Sequence, residues 1–154
     1  MAEKKRHSQD AHLKHLIEEL RRYQLRVTEA RIAILQVLVE KHGPFTVEEI
    51  YKQITKKTCD LATIYRSLSS LEKTGLIRRC EFGDGTARYE LSEHENHHHH
   101  HLICRYCKKF EVLDDCELQE IDRVAKKRGY EEISHSLEFF GICPACQEKQ
   151  SSFE

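Results

Sequence analysis

The sequence predicts an α+β protein made of two small domains, and three observations lead to this prediction. Its 154 residues suffice for one domain or two small ones. Apolar residues recur at helical spacing up to about residue 75, and the pattern then becomes that of a β-hairpin. The last part of the chain instead contains five consecutive histidines and two Cys-x-x-Cys pairs. We therefore place an N-terminal domain at residues 1–91, a hinge at 92–96 and a metal-binding domain at 97–154.

The composition predicts a soluble protein of a reducing compartment. Hydrophobic residues make up 39% and charged residues 33% of the chain. No segment approaches the roughly 18 apolar residues that a membrane span requires. Residues 1–6 are charged and no apolar stretch follows them, so we expect no secretory signal. In a cytoplasmic protein of this kind, the seven cysteines are predicted to bind metal rather than to form disulfides.

Four amphipathic helices are predicted in the first domain. Thr28 is a candidate N-cap of the second helix, Thr46 and Glu49 form a capping box for the third, and Asp60 caps the fourth. Gly75 marks the end of the fourth helix. The predicted helices cover about residues 12–23, 29–41, 47–55 and 61–74.

A β-hairpin is predicted directly after these helices, over residues 76–82 and 86–91 with a glycine-rich turn between them. Helices that close on a helix-turn-helix and are followed by a hairpin describe a winged helix. In that fold the fourth helix enters the major groove of DNA and the hairpin is the wing. Tyr65 and Arg66 lie off the apolar face of the fourth helix, where side chains that read bases or phosphates would be.

An ordinary solvated helix face is the alternative explanation of Tyr65 and Arg66, and the distribution of charge bears on the choice. Residues 1–91 contain 17 Lys and Arg against 13 Asp and Glu, a net charge of +4. Residues 92–154 contain 8 against 13, a net charge of −5. The basic first domain and its predicted wing favour DNA as the partner.

Two cysteine pairs have the spacing of a zinc site: Cys104, Cys107, Cys143 and Cys146. A thioredoxin-like redox pair is the alternative, but such a pair is single and lies at the start of a helix after a strand. Both pairs are predicted here in loops. A closed shell of four thiolates leaves no open position, so we expect a structural zinc ion. The other cysteines are predicted to be small core or surface residues: Cys59, Cys80 and Cys116.

The run of five histidines, His97–His101, adjoins the first cysteine pair, whereas an expression tag would lie at a terminus. A loose metal-buffering tract is a further alternative. If the run is a strand, its side chains alternate between two faces, and two faces permit two metal sites.

The two sites are predicted to differ in their remaining ligands. Glu90, at the end of the wing, is close enough in sequence to join His99 and His101. His98 and His100 could pair with His135 on the opposite face. Nitrogen and carboxylate ligands suit Fe(II), Zn, Mn or Ni.

The second domain is predicted to combine short strands with one helix. The helix is expected to end at Gly129 and to turn Leu118, Ile121 and Val124 inward. The strands are predicted at about residues 99–104, 110–113 and 133–140, the helix at 115–128, and a disordered polar tail at 147–154.

The span from about Leu25 to Cys146 resembles the ferric uptake regulator (Fur) family of bacterial metal-dependent repressors. The matching segments cover over three quarters of the chain, in the same order. They are Leu25-Arg26-Val27-Thr28-x-x-Arg31, Ala62-Thr63-Ile64-Tyr65-Arg66-x-Leu68, Tyr89-Glu90-Leu91, His98–Cys107, and Ser134-His135-Ser136-Leu137 to Cys146.

This resemblance implies a homodimer, with a winged helix followed by an α/β dimerisation domain, that binds an AT-rich palindromic DNA operator. Metal binding at the hinge would set the spacing of the two DNA-reading heads. The structural zinc would lie on the four paired cysteines. The regulatory metal falls on Glu90, His99 and His101, and a second metal on His98, His100 and His135. The DNA contacts fall on Arg26, Thr63, Tyr65 and Arg66.

Two positions depart from the family's pattern. The regulatory site usually takes another histidine just before the third helix, where this chain has Pro44, and His42 is the candidate replacement. The acidic residue that usually joins the second site aligns near Leu118, so Glu117 is the candidate there. Glu111 is a further candidate at the regulatory site, because some peroxide-sensing members use an acid at that place.

The sequence therefore predicts a metal-responsive repressor, with Fe(II) as the favoured ion and zinc-uptake or peroxide-stress regulation as alternatives within the family. Two classes of protein remain as rivals. A histidine-rich storage or delivery protein would not need residues 61–68, and a metallohydrolase would need a general base that the spacing does not supply. We expect no enzymatic activity.

Overall fold

The computed structural model describes residues 2–41, 43–54, 59–92, 100–113, 119–131, 133 and 137–151. The chain divides into two compact units, one ending at Ser92 and the other starting at Glu93. Within the described ranges, none of the helices has both the length and the apolar character needed to cross a bilayer.

The first unit contains four helices and a three-stranded antiparallel sheet. Its elements in chain order are α1 (Ala2–Arg22), α2 (Glu29–Lys41), β1 (Phe45–Thr46), α3 (Val47–Gln53), α4 (Leu61–Lys73), β2 (Ile77–Glu81) and β3 (Ala87–Leu91).

Helix α1 begins about ten residues earlier than predicted, at Ala2 rather than near His12. Residues 2–11 carry no apolar periodicity, which is why the pattern did not include them, but good helix formers dominate them. The Gln9 amide donates to the Glu40 carbonyl over 3.3 Å, which ties the early turns of α1 to the end of α2. The prediction from periodicity was wrong because it detected only the buried stripe of the helix.

The predicted helix caps are present. Thr28 Oγ1 accepts from the Arg31 amide at 3.4 Å at the start of α2. Thr46 and Glu49 form the complete capping box of α3, and Asp60 accepts from the Thr63 amide at 2.7 Å. Helix α3 ends at Gln53 instead of continuing to residue 55, because Ile54 is already extended.

A single apolar core joins the helices to one face of the sheet. Its fully buried members include Leu20, Ile34, Leu35, Ile50, Ile64, Leu68 and Leu71. On α4, Ile64 and Leu68 face this core, whereas Tyr65 is 51% exposed. The amphipathic face predicted for α4 is confirmed.

The sheet has the strand order β1-β3-β2, and the hairpin β2–β3 is the predicted wing. Gly83 and Gly85 adopt positive φ angles of 69° and 72° in its turn, a conformation that side chains with a Cβ disfavour. The Arg88 guanidinium donates to both Asp84 carboxylate oxygens, at 2.8 and 3.0 Å, and lowers the pKa of Asp84 to about 2. Strand β1 was not predicted, because two residues are too short to show a periodic pattern.

The two faces of the wing differ in chemistry. On one face, Ile77 lies opposite Leu91 and Arg79 lies opposite Tyr89. This face packs against the core through its three apolar side chains, those of Ile77, Tyr89 and Leu91. Because side chains alternate along a strand, the other face carries Arg78 with Glu90 and Cys80 with Arg88. Both Glu90 and Cys80 are nevertheless buried.

The second unit has a mixed three-stranded sheet in the order β5-β4-β6, in which β4 pairs antiparallel with β5 and parallel with β6. Its elements are β4 (His100–Cys104), β5 (Phe110–Leu113), α5 (Gln119–Lys127), β6 (Glu138–Gly141) and α6 (Pro144–Ser151). The whole is an α+β fold with a winged helix followed by a small α/β unit, as predicted.

Three predictions for the last strand, the C-terminal tail and α5 of the second unit were wrong. Strand β6 spans residues 138–141 instead of 133–140. Residues 147–151, predicted to be disordered, belong to α6, which starts with a proline at its first helical position. On α5, Ile121 and Val124 are 62% and 42% exposed rather than turned inward.

The burial of α4 makes a prediction for two adjacent residues. Ile64→Ala should lower the free energy of unfolding by about 2–5 kcal/mol, because it leaves a cavity in the closed core. Tyr65→Ala, its exposed neighbour, should change that free energy by less than about 0.5 kcal/mol. Urea denaturation of the zinc-loaded proteins, followed by circular dichroism at helical wavelengths, measures both. Equal destabilisation by the two substitutions would contradict the assigned orientation of α4.

Candidate metal centre and nucleic-acid interface

The parallel pairing of β4 with β6 brings the two cysteine pairs to the same end of one sheet. Cys104 is the last residue of β4, and its strand partner Gly141 is the last residue of β6. The carboxyl ends of parallel strands lie at the same edge, so the chain leaving each strand carries a cysteine pair to that edge. The Arg105 amide donates to the Gly141 carbonyl at 2.8 Å and joins the two exits.

The four sulfur atoms of these pairs converge. All four lie within 4.8 Å of one another, and Cys107 Sγ is 3.7 Å from Cys143 Sγ. Four thiolates around zinc, each at about 2.3 Å, would be separated by about 3.8 Å in a regular tetrahedron. The spacing therefore fits a closed Cys₄ zinc centre.

The protonation of the metal-free cluster is uneven. The backbone amides of Cys143 and Cys107 lower the pKa of Cys104 to about 6, because an amide that points at sulfur stabilises the thiolate. The adjacent Cys143 sulfur and burial raise the pKa of Cys146 to about 12. The Cys104 thiolate thus forms readily and opposes ionisation of Cys146. A divalent cation removes this repulsion, so zinc binding would release the remaining protons.

The second cysteine pair was predicted to lie in a loop. It lies instead at the start of α6, shortly after β6 ends. That setting is the one a redox pair takes. The first pair, however, brings its sulfurs into the same cluster, which a redox pair does not require. The interpretation as zinc ligands therefore stands on the convergence of four sulfurs rather than on the setting of either pair.

Among the described residues of the second unit, the only hydrophobic side chains counted as buried are Ile103 and Cys104. A domain of about 60 residues is only marginally stable, because it buries a smaller fraction of its surface than a larger domain does. A zinc ion that links β4, the loop after it and α6 would supply stabilisation that the apolar core does not.

The adjacent residues His100 and His101 on β4 point to opposite faces of the sheet, and both are buried. The His101 ring makes an edge contact with Phe110, with ring centroids 5.5 Å apart. Glu111 is exposed and pairs with Leu102, which places its side chain on the face opposite to His101. The strand register therefore separates Glu111 from His101.

Glu90 is a buried carboxylate of the wing, with 2% of its surface exposed. Arg78 Nε donates to Glu90 Oε1 at 2.5 Å, and the Cys80 thiol donates to the same oxygen at 3.3 Å. Cys80, predicted to be a small core or surface residue, is thus buried beside Glu90. No ligand spacing points to this contact, because Cys80 is a single cysteine. The alternation of side chains along the hairpin, which places Cys80 and Glu90 on one face, was the signal that could have found it.

Several predicted ligands lie outside the described residues: His42, His98, His99, His135 and Glu117. The same holds for residues 93–96 of the predicted hinge.

The first unit contains a basic cleft of about 430 Å³ between the start of α2 and α4. Three arginines line it: Arg26, Arg31 and Arg66. The hydroxyl-bearing side chains that line it are those of Thr28, Thr63, Ser67 and Ser70. Three of the four predicted DNA-contacting residues thus lie together. The fourth, Tyr65, is exposed on α4.

Hydrogen bonds order part of this cleft. Arg31 donates to the Arg26 carbonyl at 2.5 Å, and Arg66 donates to Thr63 Oγ1 at 3.2 Å. The sequence predicted no role for Arg31, because the apolar stripe that predicts α2 gives no information about the polar face of the helix. Its place in the first turn of α2, three residues after the capping Thr28, was the available signal.

The sequence profile of the Ferric uptake regulator family matches residues 22–140, which is most of the chain. The protein belongs to this family. Membership makes it a metal-responsive transcriptional regulator of the Fur and PerR type, and the resemblance noted in the sequence is confirmed.

Individual relatives agree with this assignment. The peroxide-responsive repressor PerR of Staphylococcus aureus strain Mu50 is 31% identical over 140 residues, which cover 89% of this chain and 93% of that protein. The ferric uptake regulator of Helicobacter pylori, described with three functional metal-binding sites, is 30% identical with a TM-score of 0.72. That match covers 90% of this chain and 93% of the other. The Pseudomonas aeruginosa ferric uptake regulator, solved with manganese, is 29% identical with a TM-score of 0.70. That match covers 82% of this chain and 96% of the other.

The sulfur cluster makes a prediction for Cys143. Cys143→Ser should lose zinc to a chelator and unfold the second unit, because binding energy at a structural zinc centre is folding energy. Cys59→Ser, which alters a cysteine outside the cluster, should retain the zinc. Elemental analysis after dialysis against the chelator, with hydrogen exchange of β4 and β6, measures both. Full zinc content in the Cys143→Ser protein would contradict the assigned centre.

Proposed function

We propose that the protein represses transcription by binding double-stranded DNA through α4 and the basic cleft, under the control of a divalent metal. The observation that carries this proposal is the convergence of three arginines beside the exposed face of a winged-helix recognition helix. Guanidinium groups bind phosphate with two parallel hydrogen bonds, and serine and threonine hydroxyls add further phosphate contacts. Tyr65 and Arg66 are the proposed major-groove contacts, and Arg26 the proposed minor-groove contact.

The proposed regulatory metal takes Glu90, His99 and His101 as ligands, with His42 as a further candidate. A buried carboxylate costs free energy unless a positive charge accompanies it. Arg78 supplies such a charge to Glu90, and a divalent cation would supply a stronger one. A metal with ligands from both sides of residues 92–96 would favour the arrangement of the winged helices that fits the operator. Glu111 is left out of this site, because it faces away from His101.

Fe(II) is the proposed ion, with zinc and manganese as alternatives. Imidazole nitrogen and carboxylate oxygen are acceptable ligands for all three, so selectivity depends on geometry and on the remaining ligands. A second metal is proposed on His98, His100 and His135 with Glu117. Of these, the described residues include His100, which is buried at the start of β4.

The functional form is proposed to be a homodimer in the cytoplasm, on an AT-rich palindromic operator. The second unit exposes apolar side chains on its sheet and on α5, including Leu102, Val112, Ile121, Val124, Phe139 and Phe140. Exposed apolar side chains favour association with another copy, since burial removes them from water. A two-fold dimer presents two recognition helices to two half-sites, which is why a palindrome suits it.

A titration of DNA binding tests the regulatory site. Protein that holds only its tight zinc should gain roughly 5- to 150-fold in operator affinity on addition of Fe(II), Mn(II) or Zn(II), the usual range of allosteric coupling. Glu90→Gln and His99→Ala should remain folded dimers but lose this gain. Glu81→Gln, on the same hairpin and exposed, is the matched control. Fluorescence anisotropy at buffered free metal measures the affinities.

Two results would count against this proposal. A metal response retained in Glu90→Gln would place the regulatory site elsewhere. Operator binding that ignores metal in the unaltered protein would instead favour storage or delivery of metal as the role of the histidines.

The basic cleft predicts a separate effect of Arg66→Ala. Operator binding should weaken by about 1–3 kcal/mol, because a charged contact to base or phosphate is lost. The metal content should not change. Arg123→Ala, which removes an exposed arginine of the second unit, should leave DNA affinity within about 0.5 kcal/mol of the original. Anisotropy at several salt concentrations measures this, and unaltered affinity of the Arg66→Ala protein would remove Arg66 from the interface.

A further inference from the structure

We propose that Cys80 is a ligand of the regulatory metal beside Glu90, and that it biases the site toward thiophilic ions such as Zn(II) over Mn(II). This inference rests on the proposed function, since it requires Glu90 to bind the regulatory metal.

The strand register places Cys80 and Glu90 together. In the β2–β3 pairing, Arg78 lies opposite Glu90 and Cys80 lies opposite Arg88. Directly opposed residues share a face, and residues two apart on a strand share it as well. Cys80 and Glu90 are therefore diagonal neighbours on one face of the wing. They are 5% and 2% exposed, respectively.

This face is not where a thiol would go merely to fill the core. The core cluster contains Ile77, Tyr89 and Leu91 from the opposite face of the hairpin and does not include Cys80. Cys80 lies instead beside a carboxylate and two arginines. A thiolate and a carboxylate that adjoin can bind one metal ion together, the sulfur as a soft ligand and the oxygen as a hard one.

The separation of the two ligand atoms fits a shared ion. Cys80 Sγ lies 3.3 Å from Glu90 Oε1. Zinc at about 2.3 Å from sulfur and about 2.1 Å from oxygen would separate these atoms by about 3.1 Å at a right angle and about 3.6 Å at the tetrahedral angle. The observed distance lies between these limits, so the two atoms are already spaced as ligands of one cation would be.

The chemistry of binding follows from these contacts. The Cys80 thiol loses its proton to solvent as the metal–sulfur bond forms, and the metal replaces that proton between sulfur and the Glu90 oxygen. Arg78, whose side chain is 31% exposed, can turn its guanidinium toward water when the cation takes over the charge of Glu90. Cys80 would also supply a ligand that Pro44 cannot supply at the position before α3.

Cobalt binding tests the inference directly. Protein that retains zinc at the four-cysteine centre is titrated with Co(II), and absorption is followed in the near-ultraviolet, where sulfur-to-cobalt charge transfer appears. The original protein should show this band, whereas Cys80→Ser should bind Co(II) without it. Cys59→Ser is the matched control and should keep the band.

Competition between ions measures the selectivity. Cys80→Ser should lower the affinity for Zn(II) relative to Mn(II) by about tenfold or more, because serine replaces a soft ligand by a hard one. Cys80→Ala should show the same change of preference, which separates loss of the thiolate from any effect of the serine hydroxyl. Circular dichroism of each variant verifies that the winged helix is folded.

Three outcomes separate this inference from the proposed function. If Cys80→Ser loses the charge-transfer band and the Zn(II) preference, and Glu90→Gln loses the metal itself, both the role of Cys80 and the regulatory site are supported. Loss of the metal in Glu90→Gln with an unchanged band and preference in Cys80→Ser overturns the role of Cys80 and leaves the regulatory site intact. Retention of the metal in Glu90→Gln overturns both.

Discussion

The convergence of four cysteine sulfurs is the constraint on which the second unit depends. Its described residues bury few apolar side chains, and its strands are four or five residues long. A unit with so little core needs a cross-link, and a zinc ion within a cluster whose sulfurs lie within 4.8 Å of each other supplies one. The parallel pairing of β4 with β6 makes this possible, since it carries both chain exits to one edge. The zinc and the sheet therefore stabilise each other.

The first unit is organised by a division between the two faces of its wing. One face completes the apolar core beneath α4 and so orients this proposed recognition helix, with Tyr65 exposed and Ile64 buried. The other face holds a carboxylate, a thiol and two arginines. The same five-residue strands thus support the proposed DNA-reading helix through one face and the proposed metal chemistry through the other. Alternation of side chains along a strand is the physical reason that one hairpin can do both.

Much of the architecture could be predicted where a local signal was strong. The caps at Thr46 and Asp60, the glycine turn of the wing and the outward position of Tyr65 follow from short-range chemistry. The failures occurred where that signal was weak or indirect. Residues 2–11 and 147–151 are polar, so nothing in their pattern distinguished a helix from a disordered tail. Ile121 and Val124 looked inward by periodicity, but an apolar stripe indicates that a face will be covered and not what covers it.

The sequence by itself determined the family, the fold class and which four cysteines cluster. These depend on residue type and on spacing along the chain, and both are visible in the sequence. Only the tertiary structure decided which side chains from distant segments meet. It brought Arg31 to Arg26 and Arg66, placed Cys80 against Glu90, and turned Glu111 away from His101. Strand register and helix packing set these proximities, because a shift of one residue in register moves a side chain to the opposite face.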